Sequence, residues 1–254
     1  MTLTKVFRDF YSQRDPLLIL VLACALLIVY WYKGYHFYFK EKFRNLWGRN
    51  AYFEWMAHIW QFSCAWILLV IIPVIYIKLF TDRQLVSFGV TFRGWSIGLP
   101  FVTLMGAFMT PFLKRTAANK EFYNEYPLVH GLYGKSVAHM VAWELTYLAY
   151  YIPFEFFFRG FIQMGVTPHV GPAMAVCFQM FPSVIIHNNK PAGETWAALG
   201  GAFVMGLMTA VTGSLLWPIL FHWYIGAMTD YFCFREWLGA KERGEAVREA
   251  FVVK

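Results

Sequence analysis

The sequence predicts an all-α protein, a polytopic transmembrane bundle of about seven to eight spans. Three observations carry that prediction. The 254 residues are 59% hydrophobic and 20% aromatic with only 15% charged, against about 25% charge in soluble domains. Apolar runs recur along the whole chain, each near the length that a hydrocarbon core about 30 Å thick requires. No linker, fixed-period repeat or inverted pair of halves divides them.

The elements follow in order. The head carries Lys5, Arg8, Asp9, Arg14 and Asp15 without a small-residue cleavage site, so the first span, 17–32, is expected to remain in place. Residues 35–47, YHFYFKEKFRNLW, mix aromatic with basic side chains, which suits either a helix in the headgroup layer or a short basic loop. A second span covers 56–78, and 81–94 is a polar connector with glycines at turn-like positions. A third covers 95–113, and 114–135 is expected to be the longest polar loop. Residues 139–166 read as one long span kinked at Pro153, or as two spans divided there; 172–187 is a short one. In HNNKPAGETW, Pro191 suits a first helical position and Glu194 the positive end of a helix dipole. The following span, 195–212, carries Ala197, Gly201, Ala202 and Gly206, a spacing that lets helices approach closely. The last span is 214–234.

The net charge of +7 is a property of loops and tail, not of a nucleic-acid face. With seven spans, 15 Lys and Arg fall on one side and 6 on the other, with Arg159 inside a span. The positive side faces the cytoplasm, so the N-terminus is expected outside and the C-terminus inside. Cys24, Cys64, Cys177 and Cys233 show no paired or zinc-type spacing and are expected to be buried small side chains.

The ionisable residues within these spans are the informative ones. A charge at a helix centre costs about 2.5–3.5 kcal/mol on insertion scales, so such residues pair, face water or do chemistry. Glu155 and Arg159 stand at i, i+4 and can pair on one face. Glu144 returns to nearly that face about 16 Å away, too far for both carboxylates to work on one water. His187 ends one span, and His222 lies in the last, eight residues before Asp230. His58 and His139 lack such company and read as structural, while His36, His130 and His169 fall in loops. A glutamate can act as general base on water, and imidazoles can stabilise the oxyanion formed when that water attacks a carbonyl. This set could hydrolyse an amide. No GxSxG or HExxH occurs. A divalent metal on two histidines and a carboxylate stays open, though none is required.

Three stretches, YIPFEFFFRGFIQMG, FPSVIIHNNKPAGE and PILFHWYIGAMTD, together resemble the motifs of the CPBP family. These are intramembrane glutamate proteases that include CAAX prenyl endopeptidases and bacterial Abi-type proteins. The resemblance implies a four-helix catalytic-type core within about 136–234, so residues 1–135 read as an accessory region of three spans and 136–254 as core and cytoplasmic tail. The family's Glu-Glu-x-x-x-Arg falls on Phe154, Glu155 and Arg159, its second-motif histidine on His187 and its third-motif histidine on His222. Ser183 stands where a phenylalanine is usual. Gly226 stands where the Asn or Asp partner of the third histidine is usual, with Asp230 a turn later as a substitute.

The implied activity is an intramembrane endopeptidase acting on a membrane-anchored or lipidated peptide or protein. Glu155 would be the base, His187 and His222 the oxyanion or water-positioning groups, Arg159 and Asp230 the orienting groups, and Glu144 the reserve base. The bilayer is the other partner, and the bacterial inner membrane the expected location. A second hypothesis is an inactive member that binds a membrane peptide or protein, suggested by Phe154.

Overall fold

The computed structural model describes residues 14–47, 51–188 and 190–247, and among them every regular element is helical. α1, Arg14–Val29, runs into a π-helical turn, Tyr30–Gly34, and then α2, His36–Trp47. α3, Ala51–Ala65, continues through a π-helical stretch, Trp66–Ile71, into α4, Ile72–Phe80. A connector with a short 3-10 turn, Leu85–Phe88, leads to α5, Trp95–Ala117. Two short helices follow, α6 (Lys120–Glu125) and α7 (His130–Tyr133). α8, Val137–Glu155, passes into a nine-residue π-helical segment, Phe156–Met164, and directly into α9, Gly165–Ile185. α10, Ala192–Thr212, and α11, Leu216–Glu242, complete the chain.

Four of these runs are long and apolar enough to cross a membrane: Arg14–Phe43, Ala51–Phe80, Trp95–Ala117 and Ala192–Thr212. They cover the expected spans 17–32, 56–78, 95–113 and 195–212. The other three expected spans are helical too, but they hold Glu144, Glu155, Arg159, Gln163, Gln179 and Asp230, which dilute their apolarity. The outward faces carry large apolar side chains; Leu104, Phe181 and Trp196 are 70%, 76% and 76% exposed. Water would penalise such a surface, whereas acyl chains match it. The protein is an all-α integral membrane protein.

The helices group into two compact units. The first holds the chain up to Trp31, Ile67–Trp95 and Pro153–Pro218; the second holds Tyr32–Trp66, Ser96–Ile152 and the chain from Ile219. In the first, α9 packs on α10 and on the π-helical segment, and α1 packs on both α9 and that segment. The close approach to α10 is made at Ala202 and Gly206, where Gln179 Nε2 donates to Ala202 O at 2.9 Å and Gln163 Nε2 to Gly206 O at 2.8 Å. A Cβ on Gly206 would lie 2.7 Å from Gln179 Nε2. The small-residue expectation therefore holds for the second half of its stripe, while Ala197 faces outward. α9 is broken at Gly171 (φ 77°), just before Pro172, where a residue free to take positive φ precedes one that cannot donate.

In the second unit, α2 packs on α3 through Phe39, Phe53 and a buried Lys40–Glu54 ion pair, so the 35–47 stretch is a helix. The 114–135 stretch is not a polar loop. Phe122, Tyr123, Tyr126, Val129, Leu132 and Tyr133 are buried, and their apolar surface folds α6 and α7 inward. His130 is buried with them, its Nε2 donating to Tyr123 O at 2.9 Å. His139 bonds Ser136 Oγ at 2.8 Å, and His58 is buried 5.7 Å from the Trp143 ring, both structural settings. Of the cysteines only Cys233 is buried; Cys24 and Cys177 face outward, where a thiol behaves as a small apolar group. Pro191, expected at the first helical position, is instead the N-cap of α10, which starts one residue later at Ala192.

Pro153 lies inside α8. It has no N–H, so the carbonyl of Ala149 loses its helical donor. Trp66 replaces it, donating Nε1–H to Ala149 O at 2.8 Å. Trp66→Phe is expected to lower stability by about 1 kcal/mol, measurable as an earlier unfolding midpoint in mixed micelles.

Candidate functional site

Glu155 is the last α-helical residue before the π-helical segment, and Arg159 sits inside that segment. Arg159 Nη1 donates to Glu155 Oε1 at 3.2 Å, with the two side chains 1% and 0% exposed. Around them Phe156, Phe157, Phe158 and Phe161 are all buried. Nε and Nη2 of Arg159 have no acceptor among the described residues. A buried guanidinium thus turns one arm to a carboxylate and keeps N–H groups of the kind that bind water or a carbonyl oxygen. Phe154 is buried with its ring edge-on to Tyr30 at 5.8 Å and beside Phe158, so an aromatic contact occupies the position of the family's first glutamate.

His187 lies two residues past the end of α9, half buried. Its Nδ1 donates to the Ser183 carbonyl at 2.9 Å, and Thr195 Oγ1 donates to the His187 carbonyl at 3.0 Å. The first bond satisfies a carbonyl at the helix end. In the neutral ring it leaves Nε2 as the acceptor nitrogen. Ser183 serves His187 through its backbone, so the exchange of phenylalanine for serine leaves that bond intact.

The second unit holds the other candidates. The His222 ring lies 4.3 Å from that of Tyr151. A Cβ built on Gly226 would lie 2.1 Å from the Tyr151 hydroxyl. This explains the glycine four residues after His222: the phenol fills the space that an Asn or Asp side chain would need. Tyr151 also packs against Tyr147 at 4.7 Å. Asp230 is fully buried, and its Oδ2 accepts from Trp143 Nε1 at 2.7 Å. Next to Trp143 on α8, both oxygens of Glu144 are buried without a hydrogen bond of good geometry among the described residues. Burial and the facing Glu144 carboxylate push the Tyr133 phenol well above the ordinary tyrosine range.

The six candidates thus divide evenly, Glu155, Arg159 and His187 in one unit and Glu144, His222 and Asp230 in the other. Among the described residues no three His, Cys, Asp or Glu side chains are grouped as metal ligands. Sequence reasoning missed Tyr133, Trp143 and Tyr151, which surround the carboxylates and His222. The spacing of Tyr147 and Tyr151, one turn apart on the face of Glu144's neighbour Trp143, was the available signal.

Residues 136–228 match the family described as "Rce1-like: Type II CAAX prenyl endopeptidase Rce1-like". This part of the chain is similar to the Rce1-like family. The match takes in α8, the π-helical segment, α9, α10 and the first half of α11, hence five of the six candidates, and stops two residues before Asp230. No curated protein and no solved structure matches the chain. At the family level, the Rce1-like segment supports a protease.

Proposed function

We propose that the chain is an intramembrane endopeptidase that hydrolyses a peptide bond in a membrane-embedded or lipidated protein or peptide. The buried Glu155–Arg159 pair within the Rce1-like segment carries this reading. In it, Glu155 takes a proton from water as the water oxygen attacks the scissile carbonyl. His187, whose Nε2 is an acceptor, positions the attacking water, and His222 donates a hydrogen bond to the oxyanion. The proton held by Glu155 then passes to the nitrogen as the C–N bond breaks, leaving an amine and a carboxylic acid. Arg159 holds Glu155 in place, Asp230 orients its surroundings, and Glu144 is the reserve base. Prenylated C-termini are the substrate class suggested by the family's description. A divalent ion held by the two histidines and a carboxylate would be an alternative source of activated water. Loss of cleavage on chelation would favour it.

The test is cleavage of a prenylated C-terminal peptide by the purified protein in vesicles. Glu155→Gln, His187→Ala and His222→Ala are each expected to lower the rate by about 10²–10⁴-fold with unchanged folding. Activity surviving all three would reject the assignment.

Phe154 favours a second reading, an inactive member that binds a membrane peptide or protein partner. On this reading the same peptide binds but is not cut, and Glu155→Gln leaves its affinity unchanged.

A further inference from the structure

Within the first unit, the connector between α4 and α5 frames an open cleft of about 580 Å³, lined by Asp82, Arg83, Arg93 and Met164 among others. A smaller cavity of about 200 Å³ shares Arg83, Ser87 and Met164 with it and adds Gln163. None of these residues has a place in the proposed hydrolysis.

The walls are fixed. Ser214 Oγ donates to Thr91 O at 2.5 Å, Leu215 N–H to Gly89 O at 2.9 Å and Trp217 Nε1–H to Arg93 O at 2.7 Å. Gly94 turns the connector at φ 74°, with Thr212 Cβ 2.7 Å from where a side chain would begin. The cleft is therefore a shape held by the backbone.

Its chemistry is that of an anion site. Arg83 donates from Nη1 to Gly165 O and from Nη2 to Met164 O, both at 2.8 Å, and lies 4.2 Å over the Phe88 ring. These partners are neutral, and among the described residues neither Arg83 nor Arg93 has a carboxylate within ion-pair distance. Burial lowers the Arg83 pKa, which records the cost of a partly desolvated charge. Gln163 is 1% exposed, and its Oε1 accepts no hydrogen bond among the described residues. Such an acceptor suits a ligand that also carries a donor. Asp82 on the rim offsets one of the two guanidinium charges, which favours a monoanion.

The surroundings identify the source of that anion. Leu79, Phe80 and Phe92 are 71%, 72% and 78% exposed around the connector, and Trp95 starts α5 beside it. Exposed aromatic side chains at a helix end mark the level of the membrane interface, where phospholipid phosphates are concentrated. We infer that this cleft binds the headgroup of a monoanionic phospholipid, its phosphodiester on Arg83 and Arg93 and a headgroup hydroxyl on the Gln163 side. This goes beyond the proposed hydrolysis and does not depend on it.

The test titrates the detergent-purified protein with dihexanoyl phosphatidylglycerol, dihexanoyl phosphatidylcholine and inorganic phosphate, following the unfolding midpoint and bound lipid by native mass spectrometry. Phosphatidylglycerol is expected to bind and raise the midpoint, with phosphatidylcholine and phosphate at least roughly tenfold weaker. Arg93→Gln, at an exposed position, is expected to weaken phosphatidylglycerol by roughly tenfold without moving the unliganded midpoint. Asp82→Asn is expected to strengthen it by roughly threefold. Equal binding of the two lipids, or wild-type affinity in Arg93→Gln, would overturn the site. Phosphate binding as tightly as the lipid would show a free-anion site instead. A peptide with a free C-terminal carboxylate displacing the lipid where its amide does not would reassign the cleft to peptide ends.

Discussion

Replacing Arg159 by Met is expected to destabilise the protein by about 3–5 kcal/mol, the largest loss at any single position considered. The side chain of Glu155 has no exposure to solvent or lipid, and the guanidinium beside it is the cation that balances it. Removing that cation leaves a carboxylate in a surround of phenylalanine. The double change Glu155→Leu with Arg159→Met removes both charges, and most of the loss is expected to return, because desolvating an ion pair consumes much of what its attraction supplies. Unfolding titrations of the three variants in mixed micelles decide the matter. A single variant as stable as the wild type would mean that water already solvates Glu155. The double variant is also expected to be folded and inactive in the vesicle cleavage assay, which separates the chemistry of the pair from its structural role.

Gly226→Asn, which restores the family's usual side chain after His222, is expected to destabilise rather than improve the protein, by about 3 kcal/mol. The added Cβ meets the Tyr151 hydroxyl at 2.1 Å, and Tyr151 cannot easily retreat because Tyr147 and His222 pack on its two sides. Tyr151→Ala makes room. The pair Tyr151→Ala with Gly226→Asn is therefore expected to recover at least about 1 kcal/mol relative to the sum of the single losses. Strict additivity in that cycle would show that the phenol moves away freely. The same double variant tests whether an amide beside His222 changes the cleavage rate once the phenol is gone.

Much of the fold was legible because lipid imposes one rule on every span: apolar outside, with backbone bonds closed within the helix. Composition alone therefore gave the class, and run length gave four of the spans. Glu155 and Arg159 were legible as a pair because helical spacing sets their contact locally. Elsewhere the controlling physics was not local. Tyr151 takes the space beside Gly226 across two helices, and no pattern in either helix announces it. Trp66 completes a carbonyl 83 residues away that a proline left open. The 114–135 stretch alternates polar and apolar residues too irregularly to suggest that its apolar members are buried. His187 was read as chemistry from its place at a span end, and its bond to the Ser183 carbonyl shows how that place also fixes the ring.

The nine residues from Phe156 to Met164 wind more widely than an α-helix. A π-type turn holds roughly one residue more than an α turn. Shortening this stretch by one residue would therefore rotate everything downstream, including Gln179, Ser183 and His187, by about 100° about the helix axis. Point changes here alter contacts, but a deletion alters phase. The stretch behaves as a vernier, setting the angle at which the imidazole of one helix is presented relative to the carboxylate of the turn before it.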